Sequence, residues 1–346
     1  MIQEESTISV IICAFTEERW DALVAAVESV QQQVLSPGEI IVVIDHNTNL
    51  LERVCAWFPG VIVIENSGPR GLSGARNSGI AIAHGIFVAF LDDDAAAEPD
   101  WLLHLNRCFM DPRVLGAGGA VEPLWLSTRP AWFPEEFYWV IGCTYRGLPE
   151  RQAFVRNLYG GCTCIRKMVF EVVGGFRNGI GRVGTIPKGC EETELCIRAK
   201  QHWPQKVFVY EPQARIHHRI SPDRASWRYF RSRCYAEGLS KAMVARYVGT
   251  RDALSSERAY TLRTLPRGIL RDLLDALLHQ DLAGLARGAA IVMGLLVTTV
   301  GYLVGNILLQ LENLKNLSLE NRLFPKTVKY RRLLRLNDEI GDNEEL

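Results

Sequence analysis

Apolar residues occur in short blocks along the first hundred positions of the chain, and polar residues follow each block. Four of these blocks are rich in valine and isoleucine, and each is short enough to form one strand. Continuous apolar runs of this kind are typical of strands that are covered on both faces of a sheet. The predicted strands cover residues 8–15, 39–45, 61–66 and 85–94.

Segments with helical spacing lie between these strands. Residues 20–33 place apolar side chains three and four positions apart, and residues 71–85 predict a helix that is opened by a glycine-rich loop. Alternating strands and helices predict an α/β fold with a mainly parallel sheet, in which ligands bind at the carboxyl ends of the strands. Residues 15–18, Asp45 and the aspartates after position 91 should therefore line one crevice.

The last third of the chain has a different pattern. Residues 264–288 form an amphipathic helical stretch, and residues 288–311 carry no charge. The uncharged stretch is long enough to span a bilayer, and Gly301 and Gly305 form a pair of small residues that suits close helix packing. We expect membrane association, with a buried core helix as the alternative. The pattern does not separate a helix that spans the bilayer from one that lies on it.

Three regions follow from these patterns. We expect an α/β domain over residues 1–225, amphipathic helices over 226–287, and a hydrophobic helix with a basic and acidic tail over 288–346. The crevice belongs to the first region, so the chemistry is predicted there.

Composition narrows the possible partners and the compartment. Of 346 residues, 48% are apolar, and Lys plus Arg and Asp plus Glu both total 39, so no charge excess indicates a nucleic-acid partner. The nine cysteines are odd in number and lack C-x2-C spacing, which favours free thiols in a reducing compartment over zinc sites or disulfides. The acidic and polar start is no signal-peptide pattern. We therefore expect a cytoplasmic catalytic domain.

Three consecutive aspartates, Asp92, Asp93 and Asp94, follow the fourth predicted strand. Adjacent carboxylates repel each other and raise one another's pKa unless a positive charge lies among them. A solvated loop tip is one interpretation. The other is a divalent cation, because Mg²⁺ and Mn²⁺ take carboxylate ligands that are completed by phosphate oxygens and water.

Other polar residues at the crevice allow both a functional and a structural interpretation. Asp45 suits a nucleobase or ribose contact, and equally a turn cap. Glu17 and Glu18 precede a helix and suit its dipole. Arg76 and Asn77 suit phosphate contacts, or a role in holding the aspartate loop. The nearby glycines form neither a dinucleotide-binding fingerprint nor a P-loop. The sequence therefore gives little support to a dinucleotide oxidoreductase or a P-loop enzyme.

A second acidic cluster begins a predicted helix over residues 188–203. Glu191, Glu192 and Glu194 suit the helix dipole, and a general base is equally well placed at a rigid helix start. Downstream, His217 and His218 are predicted at the end of a short strand. One of them suits a metal or phosphate ligand, and a structural histidine is the alternative.

The order of these motifs resembles the family 2 glycosyltransferases, which are inverting enzymes of the GT-A fold. The resemblance covers roughly residues 7 to 240 and rests on the ordered set rather than on any single motif. The matching segments are "ICAFTEER", "VVID", "GLSGARNSGI", "FLDDDA", "GGCTCIRKMVFEVVGGF" and "EETELCIR".

The resemblance implies a function for each segment. The second acid of the catalytic pair is the family's base, which maps onto Glu192, although the family more often has Asp there and the choice between Glu191 and Glu192 stays open. We expect nucleotide-sugar contacts from Ala14, Phe15, Glu18, Asp45, Arg76, Asp92 and Asp93, metal ligation by Asp92, Asp94 and His217, and acceptor contacts at Gly160 and Gly161.

The implied reaction is a single displacement with inversion. A hydroxyl of a polysaccharide, glycolipid or other cell-envelope acceptor attacks the sugar of a nucleotide donor, with Mg²⁺ or Mn²⁺ on the diphosphate. A UDP-sugar is the expected donor, and a lipid-linked acceptor would fit the expected membrane association. The Q-x-x-R-W signature of processive synthases is missing, so we expect the enzyme to add one sugar per encounter with the acceptor. Because the C-terminal segment is apolar, we expect the reaction at the inner face of the cell membrane. A nucleotidyltransferase and a non-catalytic membrane or partner-binding module are the alternatives.

Overall fold

The computed structural model describes residues 8–182 and 187–323. Its centre is a nine-stranded sheet with the order β3-β2-β1-β4-β8-β6-β9-β5, and β7 pairs with β9 outside this path. The strands are β1 Ile8–Ala14, β2 Glu39–Ile44, β3 Ile62–Glu65, β4 Phe87–Asp92, β5 Ala95–Ala97, β6 Val114–Trp125, β7 Ala153–Val155, β8 Cys162–Arg166 and β9 Val207–Ile220.

Helices cover both faces of the sheet and form the C-terminal part of the chain. They are α1 Trp20–Gln31, α2 Thr48–Trp57, α3 Leu72–Ile82, α4 Trp101–Cys108, α5 Lys167–Val173, α6 Glu191–His202, α7 Trp227–Val248, α8 Thr250–Ala253, α9 Ser255–Ala259, α10 Leu265–Leu278 and α11 Ala283–Leu323. Two short 3₁₀ helices, Glu17–Arg19 and Glu135–Ile141, and a π-helical turn, Tyr260–Thr264, complete them.

The first half of the sheet is parallel and the second half is mixed. β1 pairs in parallel with β2 and β4, and β2 with β3, whereas β8 runs antiparallel to both β4 and β6. Alternate residues of β1 lie in different cores, with Val10 and Ile12 on one face and Ile11 on the other. Both faces are therefore covered, which confirms the predicted α/β sheet and the positions of its first four strands.

The structure differs from the sequence prediction in the second half of the chain. The short strand expected before His217 and His218 is the 14-residue strand β9, which pairs with β5, β6 and β7. Periodicity did not reveal its length, because Pro212 and several charged residues interrupt its apolar pattern.

The C-terminal helices pack into the same core as the sheet. Phe230 of α7, Leu265 of α10 and Ile291 of α11 belong to the main buried cluster with residues of β1 and β4. The predicted boundary between residues 225 and 226 lies just before α7, and the three-region division stays a prediction.

One described helix is long and apolar enough to cross a membrane. It covers Ala283–Glu312 of α11 with a mean hydropathy of 2.0, and 22% of its most apolar stretch is buried. So little burial disfavours the core-helix alternative. The predicted pair Gly301 and Gly305 packs within the chain, since a Cβ at Gly301 would meet the carbonyl oxygen of Tyr235 in α7 at 2.3 Å.

Candidate active site

A cleft of about 820 Å³ opens at the carboxyl ends of β1, β2 and β4, where the sequence predicted it. Its opposite walls come from the start of α6, the middle of α7, the 3₁₀ helix Glu135–Ile141 and one side of α11. Charged side chains and apolar or aromatic side chains both line the cleft. The lining can therefore contact both polar and apolar parts of a substrate.

The aspartate motif lies where β4 leaves the sheet. The Asp92 side chain is 39% exposed and lines the cleft, whereas Asp93 and Asp94 are buried. Arg19 Nη1 lies 2.9 Å from Asp93 Oδ1 and 3.1 Å from Asp94 Oδ2. The protein therefore supplies a cation of its own among the three carboxylates, which offsets their mutual repulsion.

Asp94 is bound by two further side chains. His218 Nε2 lies 2.9 Å from Asp94 Oδ1, and Arg224 Nη2 donates to Oδ2 at 3.1 Å. Burial acts to raise the pKa of Asp94, but His218, Arg224 and Arg19 outweigh it and hold the pKa well below its usual range. Burial and the Asp94 charge raise the pKa of Asp93 to about 6, against the effect of Arg19. Asp94 is thus the more firmly ionised of the two.

His217 does not lie with the aspartates. Its Nε2 contacts Glu98 Oε1 at 2.5 Å, while its neighbour His218 is buried beside Asp94. Successive side chains of a strand point to opposite faces, so only one histidine of the pair can reach the cleft. The sequence-based choice of His217 as a metal ligand disagrees with this geometry, and the residue in that place is His218.

Arg76 connects the aspartate motif to the acidic helix start. Its Nη1 donates to Glu191 Oε1 at 3.0 Å, and its Nη2 donates to Asp92 Oδ1 at 3.4 Å. The guanidinium is buried, and its central carbon lies 5.6 Å and 5.3 Å from the ring centroids of Phe90 and Phe176. Such a fixed and charged side chain holds the two acidic motifs at one distance.

The three acids of α6 have different surroundings. Glu194 is fully buried in contacts with Arg177 and Arg198, which is a structural role. Glu191 is buried, and its Oε2 has no hydrogen-bond partner among the residues that the structure describes. Glu192 is partly exposed to the cleft, and burial and the neighbouring Glu191 raise its pKa to about 8, against the effect of Arg76. Glu192 is therefore the acid of this helix start that can exchange a proton with a ligand near neutral pH.

The nucleotide-side residues are only partly brought together. Ala14, Phe15 and Asp45 line the cleft, and Asp45 Oδ2 accepts from the backbone N–H of Gly71 at 2.9 Å. Glu18 is exposed outside the cleft lining, in the 3₁₀ helix that Thr16 caps. Asp45 thus has the turn-holding role and still faces the cleft, whereas Glu18 does not reach it.

The backbone at Gly160 and Gly161 lies so close to neighbouring side chains that a Cβ does not fit at either position. A Cβ on Gly161 would meet Asp92 Oδ2 at 2.2 Å, and one on Gly160 would meet Arg76 Nη1 at 2.9 Å. Both glycines line the cleft. Their immediate effect is to leave room for Asp92 and Arg76 at the floor of the site.

Sequence reasoning missed several cleft residues that come from distant elements. Arg19 follows the two glutamates of "FTEER", and Arg224 follows the histidines by six positions, so neither carried a recognised spacing. The charged set of α7 was missed as well: Arg233, Glu237 and Lys241 recur every four residues on one helix face. That periodicity was the available signal.

The donor atoms at this site fit a divalent cation in part. His218 Nε2 lies 2.9 Å from both Asp94 Oδ1 and Arg224 Nη1, and one imidazole nitrogen cannot donate to the first and accept from the second. Across residues 8–182 and 187–323, no three His, Cys, Asp or Glu side chains are grouped tightly enough to hold a metal alone. A bound cation would therefore need oxygen ligands from a substrate or water.

The mixed sheet with its cleft is similar to a solved enzyme structure. A mannosyltransferase from Pyrobaculum calidifontis, in complex with GDP-Man and Mn²⁺, matches with a TM-score of 0.55 and 14% sequence identity, over 87% of this chain and 88% of that chain. At this identity the likeness concerns the fold alone, and it confirms the predicted GT-A fold.

Sequence relatives carry the comparison further. The chain is 35% identical over 241 residues to a glucosyl-dolichyl phosphate glucuronosyltransferase from Haloferax volcanii, covering 68% of this chain and 77% of the relative. An Escherichia coli UDP-Glc:alpha-D-GlcNAc-diphosphoundecaprenol beta-1,3-glucosyltransferase is 35% identical over 89 residues, 25% of this chain and 35% of that protein. The model of the family described as glycosyl transferase family 2 matches residues 9–174. The chain therefore belongs to glycosyl transferase family 2 and is a glycosyltransferase.

Proposed function

We propose that this enzyme transfers one sugar from a nucleotide-sugar donor to a hydroxyl of a lipid-linked acceptor, with inversion and with Glu192 as the base. The observation that carries the proposal is the position of Glu192, partly exposed at the start of α6 in the same cleft as the aspartate motif. Family membership favours sugar transfer over nucleotidyl transfer and over a non-catalytic module.

The donor is proposed to lie at the carboxyl ends of β1, β2 and β4. Asp45, Phe15 and Ala14 are proposed to contact the nucleoside, with Asp92 and Asp93 on the side of the diphosphate. We propose a UDP-sugar, because the relative from Escherichia coli is named for UDP-Glc. Arg76 is proposed to fix the positions of Asp92 and Glu191 relative to each other. Its buried hydrogen bonds to both acids support this role over a direct contact with the donor.

Asp92, Asp94 and His218 are the proposed protein ligands of a divalent cation. The cation would neutralise charge on the departing diphosphate. The imidazole in this set favours Mn²⁺ over Mg²⁺, which prefers oxygen ligands throughout. In the described structure Arg224 contacts both Asp94 and His218, so the pair is neutralised by the chain itself.

Glu192 accepts the proton of the acceptor hydroxyl. The hydroxyl oxygen forms a bond to the anomeric carbon as the bond to the nucleotide breaks, so the nucleoside diphosphate leaves from the opposite side. Desolvation makes Glu192 a stronger base than a solvated carboxylate, and Arg76 limits how far its pKa rises. Glu191 keeps one buried oxygen on Arg76 and serves to fix this arrangement.

The acceptor is proposed to contact the apolar and aromatic residues of the cleft. Trp139 and Tyr260 line the cleft together with Leu295 and Tyr302 of α11. Such side chains suit the lipid part of an acceptor, and the relative from Haloferax volcanii is named for a dolichyl phosphate substrate. We place the reaction at the cytoplasmic, inner face of the cell membrane, where nucleotide sugars and a lipid acceptor meet.

The test is a screen of the full-length enzyme with nucleotide sugars, a lipid extract and Mn²⁺. Release of a nucleoside diphosphate together with a glycosylated lipid supports the proposal. Release of pyrophosphate, or no transfer with any donor, contradicts it.

The base is tested by Glu192→Gln, which keeps the size of the side chain and removes its ability to take a proton. We expect transfer to fall by about two to four orders of magnitude, with nearly unchanged donor binding. The control is Glu171→Gln, at an exposed position of α5, which should leave transfer unchanged. Glu191→Gln should lower the rate of transfer less than Glu192→Gln does. The reverse ranking would identify Glu191 as the base.

A further inference from the structure

We infer that α11 lies in the plane of an anionic membrane surface and does not cross the bilayer. This inference rests on the proposed location at the inner face of the membrane. The transfer test with a lipid extract does not depend on the orientation of α11, so the two proposals can fail separately. The occupant of the exposed apolar face is a lipid bilayer rather than a second protein chain.

One side of α11 touches the rest of the protein along its whole apolar length. Ile291 is fully buried, a Cβ on Gly294 would meet Phe137 at 2.3 Å, and a Cβ on Gly305 would meet Ala242 at 2.7 Å. Near the end of this stretch, Arg246 Nη1 donates to the carbonyl oxygen of Leu309 at 3.1 Å. No turn of the helix between these contacts is free to be surrounded by lipid.

The helix packed against this side is too polar to enter a bilayer. α7 carries exposed arginines at positions 228, 231 and 246, and its inner face carries Arg233 and Lys241 beside the cleft. A membrane-spanning α11 would take these charges into the hydrocarbon layer, where each is costly. The close glycine contacts leave no space for lipid between the two helices.

The other side of α11 is exposed and apolar. Leu296, Val300, Leu303 and Ile307 follow one another at helical spacing, and each is about half exposed or more. The outer face of α10 continues this surface with Leu270, Leu274 and Leu277. A contiguous apolar face of this extent marks an interaction site.

The charge beside the apolar face points to lipid headgroups. Arg263 and Arg267 are exposed one turn apart, on the same helical side as Leu270 and Leu274. Arginines at the end of an apolar helix face are typical of helices that lie in the interface of anionic membranes. The same α11 contributes Leu295 and Tyr302 to the cleft wall, so in-plane binding brings the cleft to the lipid surface.

Topology is the first test. The full-length chain is expressed with an epitope tag at each end, and sealed inverted membrane vesicles are treated with protease. We expect both tags to be digested without detergent, because the chain does not cross the bilayer. A C-terminal tag that is protected until detergent is added would overturn the inference.

Flotation with phosphatidylglycerol vesicles is the second test. Leu303→Asp should weaken vesicle binding at least tenfold, whereas Val34→Asp, at an exposed apolar position between α1 and β2, should not change it. Wild-type binding should weaken in high salt. Wild-type protein that does not float and is a dimer by light scattering would assign the face to a second copy and overturn the inference, and equal binding of both variants would do the same.

Discussion

Single charged residues define the chemistry of the cleft. Arg76 holds Asp92 and Glu191, and Arg19 holds Asp93 and Asp94, so each of these four acids has a buried or half-buried arginine partner. Glu192 has no arginine hydrogen bond among the described contacts, and burial and the neighbouring Glu191 raise its pKa, against the effect of Arg76. The acid that lacks a direct cation is the one suited to take up a proton.

The pKa of Glu192 predicts the pH dependence of transfer. The base must be deprotonated, and a pKa of about 8 means that most of it is protonated at pH 7. We therefore expect kcat/KM to rise with pH and to level off above about pH 8. Steady-state rates between pH 5.5 and about 9 check this, and Glu192→Gln should lose the rise. A profile that is flat across this range in the wild type would speak against Glu192.

The same raised pKa has a consequence for stability. The folded state binds a proton that the unfolded state has released above its pKa of 4.5, so this residue lowers stability as pH rises from about 4.5 to about 8. Glu192→Gln should remove that part of the pH dependence in denaturant unfolding. An unchanged dependence in the variant would indicate an ordinary, solvated carboxylate.

The two adjacent histidines offer a matched test of the metal site. His218→Ala removes a donor atom 2.9 Å from Asp94, whereas His217→Ala removes a contact to Glu98. We expect Mn²⁺ binding in the presence of a nucleoside diphosphate to weaken about tenfold or more in the first variant and little in the second, as measured by titration calorimetry. Asp94→Ala should abolish it. Equal titration curves for all variants would contradict a metal at this position.

At the scale of elements, two helices are positioned by unusual backbone contacts. α6 starts at Cys190, which has a positive φ of 74°, and this turn directs Glu191 and Glu192 toward the cleft. α7 and α11 approach each other closely at Gly238. A Cβ at this position would lie only 2.2 Å from the carbonyl oxygen of Thr298. The close approach of α7 and α11 therefore depends on the absence of a side chain at Gly238.

Gly301→Val tests the close contact between α7 and α11. A Cβ at this position would overlap the Tyr235 carbonyl oxygen, so the helices must separate. We expect a loss of about 1–3 kcal/mol in the free energy of unfolding, by analogy with overpacked cores. The control is Gly288→Ala in the same helix, where a Cβ meets nothing within 4 Å and alanine should be neutral or stabilising. Unfolding in mild detergent, followed by circular dichroism, compares the two variants.

At the scale of the whole molecule, the sheet and the C-terminal helices share one core. Leu265 and Ile291 are nearly fully buried in the main cluster, and Phe137 packs between α7 and α11. Residues of α7 and α11 also line the cleft. The helices are therefore part of the catalytic unit and not only an anchor.

A chain that ends at residue 264 tests this coupling. It loses Leu265 and Ile291, and losses of about 2–5 kcal/mol for each large core side chain are comparable to the stability of a whole domain. We expect it to aggregate or to unfold without cooperativity in a thermal scan, whereas the full-length protein should melt cooperatively. A soluble and cooperatively folded 1–264 fragment would contradict a shared core.

The sequence alone determined the α/β class, the first four strands and the acidic motifs at their ends. These follow from local periodicity, since a buried strand needs a continuous apolar run and its carboxyl end is where polar residues appear. It also determined the apolar character of α11, because hydropathy is a sum over neighbouring residues.

Only the tertiary structure decided which side chains share the cleft. The choice between His217 and His218 depends on which face of β9 points inward, and the role of Arg76 depends on two partners that lie 16 and 115 positions away. Whether α11 is surrounded by lipid or packed against the protein depends on α7, which is separate in sequence. Local patterns fix what each segment can bury, and only the assembled fold fixes what it is buried against.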